Sequence, residues 1–163
     1  MNFQKKTTYW IEKLNLQPHK EGGYFSRTYT SNCVTDEKNI PIKHCASSIY
    51  YLLEGNDFSA FHRIKSDEIW YFHLGCNLKI HEINPKGNYL LHILGIEEVA
   101  TPQILIKANS WFAAECATEN SYSLVSCMVC PEFVFSEFEM AQKNFLIKEF
   151  PQYKDLITRL CRC

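Results

Sequence analysis

Very little in this chain is lopsided, and the absences narrow its function first. There is no excess of one charge: 17 Lys and Arg stand against 18 Asp and Glu, a formal charge of −1. Such a balance creates no long-range field for a polyanion, so neither nucleic acid nor an anionic membrane surface is expected as a partner. Nowhere do about 18 apolar residues run together without charge, so no membrane-spanning helix is expected. The opening MNFQKKTTYW lacks an apolar run followed by small residues, the mark of a secretion signal, and a cytoplasmic location is expected. No internal repeat, low-complexity tract or linker divides the sequence, which is expected to form one domain over residues 1–163. Ser47 and Ser48 have no Gly-x-Ser-x-Gly context, which argues against a serine hydrolase.

Eight cysteines are present, yet 46% hydrophobic residues argue against a small disulfide scaffold. Cys127-Met-Val-Cys130 has the spacing of a metal or redox pair but lies in an apolar run that reads as a strand. Residues three apart on a strand point to opposite faces, so these sulfurs are not expected to converge. Cys161 and Cys163, near the end of the sequence, are expected to be exposed, mobile thiols.

The secondary-structure pattern is β through the middle and helical at both ends. Trp10, Ile11 and Leu14 fall at helical spacing, giving a helix near 7–14. Short alternating or aromatic runs then recur, cut by Gly, Pro, Asn and Asp: Tyr24–Thr30, Ser47–Leu53, Leu78–Ile83, Tyr89–Leu94, Gln103–Lys107, Trp111–Glu115 and Tyr122–Cys130. Residues 31–44 read as a loop, and Leu78–Ile83 with Tyr89–Leu94, about the turn Asn84-Pro85-Lys86-Gly87, as a hairpin. With a further hairpin before Gly75, about nine strands lie over residues 23–130 and no long helical pattern separates them, which gives an all-β sandwich or barrel. Ser136-Glu-Phe-Glu139 has the form of a capping box, so a helix is expected from there to Phe150, and Pro151 opens another, with helices spanning about 136–161.

The stretch EGNDFSAFHRIKSDEIWYFHLG, Glu54 to Gly75, concentrates the chemistry. Two extended segments about the turn Lys65-Ser66-Asp67 are expected to form a hairpin bearing His62 and Glu68. Alternation places Trp70 and Phe72 on the face of Glu68. An imidazole and a carboxylate among aromatics make a polar island in an apolar cavity, as ligand sites do. His62 is the candidate base, Glu68 its supporting carboxylate within about 6 Å, and Tyr50 the candidate acid among Tyr24, Tyr50 and Tyr71. Tyr24, Arg27, Ser48, Trp70, Phe72 and Trp111 are candidate ligand contacts. Arg27 suits a phosphate or carboxylate, and the tryptophans suit a sugar or base. The plainer alternative is a salt-bridged His62–Glu68 pair that merely holds the hairpin. A cavity role predicts that His62→Ala abolishes function at little cost in stability; a structural role predicts the reverse.

The order Gly55, His62, Glu68, Gly75 resembles the first motif of the cupin superfamily. PHKEGGYFSRTYTS, SSIYYLLEGNDFSAFHRIKSDEIWYFHLG, KANSWFAAE and YSLVSCMVCPEFVFSEFEMA are similar to one cupin family, cupin_5, formerly domain of unknown function 985. The resemblance runs from about Leu14 to Tyr153. It implies a double-stranded β-helix, or jelly roll, paired as a homodimer through sheet edges, and it implies no particular reaction. Metal-binding cupins offer two His spaced by one residue, then Glu, then a later His. Against that pattern His62 and Glu68 remain, while Ile64 and Phe112 replace the other two ligands. No cofactor is therefore expected, and a divalent ion at His62 and Glu68 would be held only weakly. Asn109 replaces the Gly expected after Ala108 and suits a turn with positive φ. Two functions remain open: acid–base isomerisation or epimerisation of a small polar metabolite such as a sugar derivative, and ligand binding without turnover.

Overall fold

The computed structural model describes residues 3–35 and 42–162. Among the described residues eleven strands form two antiparallel sheets. The first contains β1 (Gln17–Pro18), β2 (Tyr24–Thr30), β3 (Ser47–Glu54), β10 (Tyr122–Cys130), β5 (Asp67–Gly75) and β8 (Gln103–Ile106), in that spatial order. The second orders β11 (Glu139–Met140), β4 (Phe58–Arg63), β9 (Trp111–Cys116), β6 (Leu78–Ile83) and β7 (Tyr89–Leu94). The expected all-β jelly roll with terminal helices is the observed architecture. The helices are α1 (Phe3–Lys13), α2 (Lys143–Glu149) and α3 (Lys154–Leu160).

Strand alternation builds the interior. Tyr51 and Leu53 of β3, Trp70 of β5, Leu78 and Ile80 of β6, Phe112 and Ala114 of β9, and Val125 and Cys127 of β10 pack together between the sheets. The outer faces are covered too. Leu52 and Leu124 pack with Trp10 and Ile11 of α1 and with Leu14 just after it. Phe61, Ile83, Trp111 and Ala113 pack beneath Leu146 of α2 and Ile157 and Leu160 of α3. Strands buried on both faces read as nearly continuous apolar runs, which explains sequences such as SSIYYLLE.

Several expectations need correction. Leu78–Ile83 and Tyr89–Leu94 do form a hairpin, but β4 and β5 do not. β4 pairs with β9 and β11, whereas β5 pairs with β10 and β8, so the turn at 64–66 carries the chain across the sandwich. The capping-box helix does not begin at Ser136: Phe135–Glu137 is a 3-10 turn, β11 follows, and α2 starts only at Lys143 without a side-chain cap. There the backbone binds outward, as Ala141 N–H donates to the Phe61 carbonyl, 2.8 Å. Cys161 is buried among the α3 residues rather than exposed; Cys163 lies outside the described residues, as do residues 36–41 of the 31–44 loop. Cys127 is buried and Cys130 exposed, as strand alternation requires. Asn109 has φ +66° in the turn before β9.

Candidate functional site

Between the sheets lies a pocket with about 580 Å³ of empty space including its mouth. Its polar centre is Glu21. The turn His19–Gly23 joins β1 to β2 and is drawn in by backbone bonds. Ala60 N–H of β4 donates to the Glu21 carbonyl, and Gly23 N–H donates to Asp57 Oδ2, both 2.9 Å. Arg162 Nε also donates to the Glu21 carbonyl, 2.9 Å. The chain passes so close to β3 that a Cβ at Gly23 (φ +65°) would sit 2.7 Å from the Leu52 carbonyl oxygen and 2.8 Å from the Tyr51 hydroxyl. Glycine is required there on both counts.

Glu21 Oε2 lies 3.2 Å from His62 Nε2 and 3.3 Å from His19 Nδ1. Ser59 Oγ donates to Oε1, 2.9 Å. Ser59 and His62 are three apart on β4, and simple alternation would send them to opposite faces. A register shift in the β4–β9 ladder between these residues brings both to Glu21. Burial alone would raise the Glu21 pKa, but the two imidazoles and the Ser59 hydroxyl outweigh it and hold the carboxyl at about 2. Glu21 is therefore ionised at neutral pH and can only accept hydrogen bonds.

His62 consequently faces two acceptors. Its Nδ1 meets the Ala60 carbonyl at 2.8 Å, and its Nε2 meets the Glu21 carboxylate. Both contacts are satisfied only in the imidazolium. Burial disfavours that charge and lowers the His62 pKa, partly opposed by Glu21. At neutral pH the Glu21–His62 unit is thus one proton short of a complete set of hydrogen bonds, which makes it a proton acceptor.

Glu68, on β5 of the other sheet, is the opposite case. Burial, and then the charge of Glu21, raise its pKa to about 8, so it keeps its proton at neutral pH. The Cys127 thiol and the Trp70 indole partly offset the shift, but Trp70 Nε1 is buried with no hydrogen-bond partner of good geometry. Tyr51 donates its hydroxyl to the Gly22 carbonyl, 2.8 Å, and burial followed by the Glu21 charge raises its pKa. The mouth is aromatic. His19 stacks on Phe135 with ring centroids 6.2 Å apart and meets Phe25 edge-on at 4.7 Å. Arg27 sits at the rim, where its Nη2 donates to the Phe133 carbonyl, 3.2 Å, and its Nη1 lies 3.6 Å from Glu132 Oε2.

Of the candidate catalytic and ligand-contact residues, His62, Glu68, Trp70 and Arg27 line this pocket and the others do not. Tyr50 and Tyr24 pack on the outer face of their sheet, with Leu52 and Leu124 under α1. On β3 the inward residues are Ser47, Ile49 and Tyr51, one position away from Ser48 and Tyr50. Ser48 instead donates to the Cys127 carbonyl, 3.0 Å. Phe72 packs against the apolar interior rather than the pocket. Trp111 lies on the outer face of the second sheet beneath α2 and α3, 4.4 Å from the Arg63 guanidinium. The carboxylate paired with His62 is Glu21, not Glu68. Glu21 and His19 were hidden in HKEGG, which reads as a turn; the double glycine after an acidic residue was the available sign of close backbone approach.

The residues do not fit a bound metal. Ile64 is buried, and the Phe112 ring lies against His62 with centroids 4.1 Å apart, filling the space where a further ligand would project. Among the described residues no group of three or more His, Cys, Asp or Glu side chains is arranged to hold an ion.

Two antiparallel sheets closed around a pocket, with polar residues from facing strands inside it, define a cupin. Residues 8–141 match the family described as Cupin superfamily (DUF985), Cupin_5, and the chain belongs to that family. Protein SO0799 from Shewanella oneidensis is 35% identical with a TM-score of 0.87, over 94% of this chain and 96% of that one. A hypothetical protein from Leishmania major is 30% identical with a TM-score of 0.88, over 94% and 97%. Oxalate decarboxylase from Bacillus subtilis shares the fold at 14% identity and a TM-score of 0.58, over 88% of this chain and 36% of that one. No curated protein matches the chain in sequence. Among the described residues no helix is long and apolar enough to cross a membrane.

Proposed function

We propose that the pocket binds a small polar metabolite and moves a proton on it without a metal, as an isomerase or epimerase of a sugar derivative does. One observation carries the reading: a proton-short unit, Glu21–His62, and a proton-rich carboxyl, Glu68, line the same pocket, His62 and Glu68 coming from facing sheets. Titratable groups pushed apart in this way divide the work of base and acid. Glu21–His62 takes a proton from the carbon next to a carbonyl, and Glu68 returns one to the oxygen or to the opposite face. Tyr51 replaces Tyr50 as the tyrosine nearest this chemistry. Arg27 at the rim suits a phosphate or carboxylate on the far end of the ligand.

The assay needs no knowledge of the product. Keto sugars and small keto acids are incubated with the protein in D2O, and proton NMR follows deuterium entering beside the carbonyl. Exchange catalysed by the native chain and lost in Glu68→Gln and His62→Gln supports the proposal. One observation favours a second reading, binding without turnover: both His62 nitrogens already face protein groups. Thermal stabilisation by a compound that shows no exchange selects that reading. The assembly proposed with either is a homodimer. β7 and β8 are sheet edges exposing Leu90, Leu91 and Leu105, which a second copy would cover. A monomer by light scattering under reducing conditions counts against it.

A further inference from the structure

Two thiols outside the pocket meet where the chain doubles back between β2 and β3. Val34 and His44 form an antiparallel bridge, and beside it Cys45 N–H donates to the Cys33 carbonyl, 2.8 Å. The Cys45 thiol donates to the Cys33 sulfur across 3.0 Å. A disulfide needs its sulfurs only about 1 Å nearer than that. Cys33 is exposed and Cys45 half-exposed, so a small oxidant reaches both. A third thiol, Cys130, is exposed at the end of β10 and near enough to act electrostatically on Cys45.

This crossing is tied to the mouth of the pocket. His44 N–H donates to Glu132 Oε1, 2.9 Å, and Glu132 N–H donates to the His44 carbonyl, 3.0 Å. Glu132 in turn faces Arg27, whose guanidinium holds the Phe133 carbonyl. Arg27 and Phe133 both line the pocket.

We propose that Cys33 and Cys45 form a redox modification site, oxidised by a low-molecular-weight disulfide to an intramolecular bond that stiffens the crossing against the pocket wall. The Cys33 sulfur, exposed and already receiving the Cys45 hydrogen bond, attacks as thiolate. It forms a mixed disulfide and expels one small thiolate. Cys45 then loses its proton to solvent, attacks the Cys33 sulfur and expels the second. Two protein thiols give up two electrons and two protons, and the small disulfide becomes two thiols.

The test exposes the full chain to oxidised glutathione, blocks the remaining thiols, and maps linked peptides by mass spectrometry. The expected result is a Cys33–Cys45 link lacking two hydrogens, reversed by excess reduced glutathione, with Cys130 recovered blocked. In Cys45→Ser the exchange stops halfway, and Cys33 is recovered as its glutathione adduct. Amide exchange at His44 and Glu132 slows in the oxidised chain. Recovery of Cys33 and Cys45 as thiols, a link from either to Cys130, or unchanged exchange at both amides overturns the proposal.

Discussion

Replacing Glu68 by glutamine removes a carboxyl that the fold forces to stay protonated, and the effect on stability depends on pH with a definite sign. In the unfolded chain Glu68 titrates near the ordinary glutamate value of 4.5, whereas in the folded chain it holds its proton to about pH 8. Between those values the unfolded state has released a proton that the folded state keeps, so stability falls as pH rises. Integrating the proton difference gives a cost of about 1 kcal/mol at pH 5 and about 3 kcal/mol at pH 7. Glutamine has nearly the same shape and no titration, so Glu68→Gln should gain roughly 2 to 3 kcal/mol on the native chain between those pH values. Any fixed penalty from the new amide, beside Trp70 and Cys127, is the same at both pH values and cancels. So do the other titrating groups, His62 among them, to the extent that they do not sense the change. Urea denaturation of both chains at the two pH values measures the difference directly. Parallel stability profiles would show that Glu68 ionises normally and that the proposed acid does not exist.

Glu21 should behave in the opposite way: its depressed pKa of about 2 gives stability that is full above about pH 5 and lost as pH falls through the folded pKa. Glu21→Gln should therefore lose about 3 kcal/mol at neutral pH and flatten the acid limb, and an unchanged acid limb in denaturation curves counts against the pairing. His62→Ala should cost about 3 kcal/mol, because it takes one of its partners from the buried Glu21 carboxylate; this replaces the small cost expected of a cavity polar group, since His62 packs against Phe112 and Phe138. Calorimetry on His62→Ala checks it, and a native-like Tm refutes it. At Asn109, whose φ is +66°, Ala should cost about 1 kcal/mol and Gly little or nothing; equal Tm values for the two variants remove backbone strain as the reason for asparagine.

The fold was legible because strands announce themselves by alternation and punctuation. Leu78–Ile83, cut by Asn84-Pro85, is a clear case, and its hairpin partner lies where it was expected. The candidate site was half legible. His62, Glu68, Trp70 and Arg27 are polar or aromatic residues in strands, and their types alone drew attention. Which neighbour faces inward was not legible on β3, because α1 covers the outer face and Tyr50 and Tyr51 are both packed against apolar residues. Alternation distinguishes inside from outside only when one side is wet. The hairpin expected at Lys65-Ser66-Asp67 failed for a related reason: a short turn looks the same whether its strands pair or cross between sheets. Glu21 was beyond reach because its role depends on contacts with Ser59 and His62, about forty residues away, and on a register shift that no local pattern encodes.

The two carboxyls restrict each other, and that restriction bears on what the pocket accepts. The charge on Glu21 is part of what keeps Glu68 protonated, so neutralising Glu21 would lower the Glu68 pKa and weaken it as a store of protons. A second negative charge brought in by a ligand would have to be desolvated beside an ionised Glu21, with no Lys or Arg among the residues deep in the pocket. Such burial is costly unless the charge is paired. The guanidinium of Arg27 is at the rim, not at the floor. An anionic group on the ligand therefore belongs at the mouth, beside Arg27, and a neutral hydroxyl or carbonyl belongs inside. There Glu68 can donate a hydrogen bond and Glu21 can only accept one, and this asymmetry sets the direction in which a proton moves.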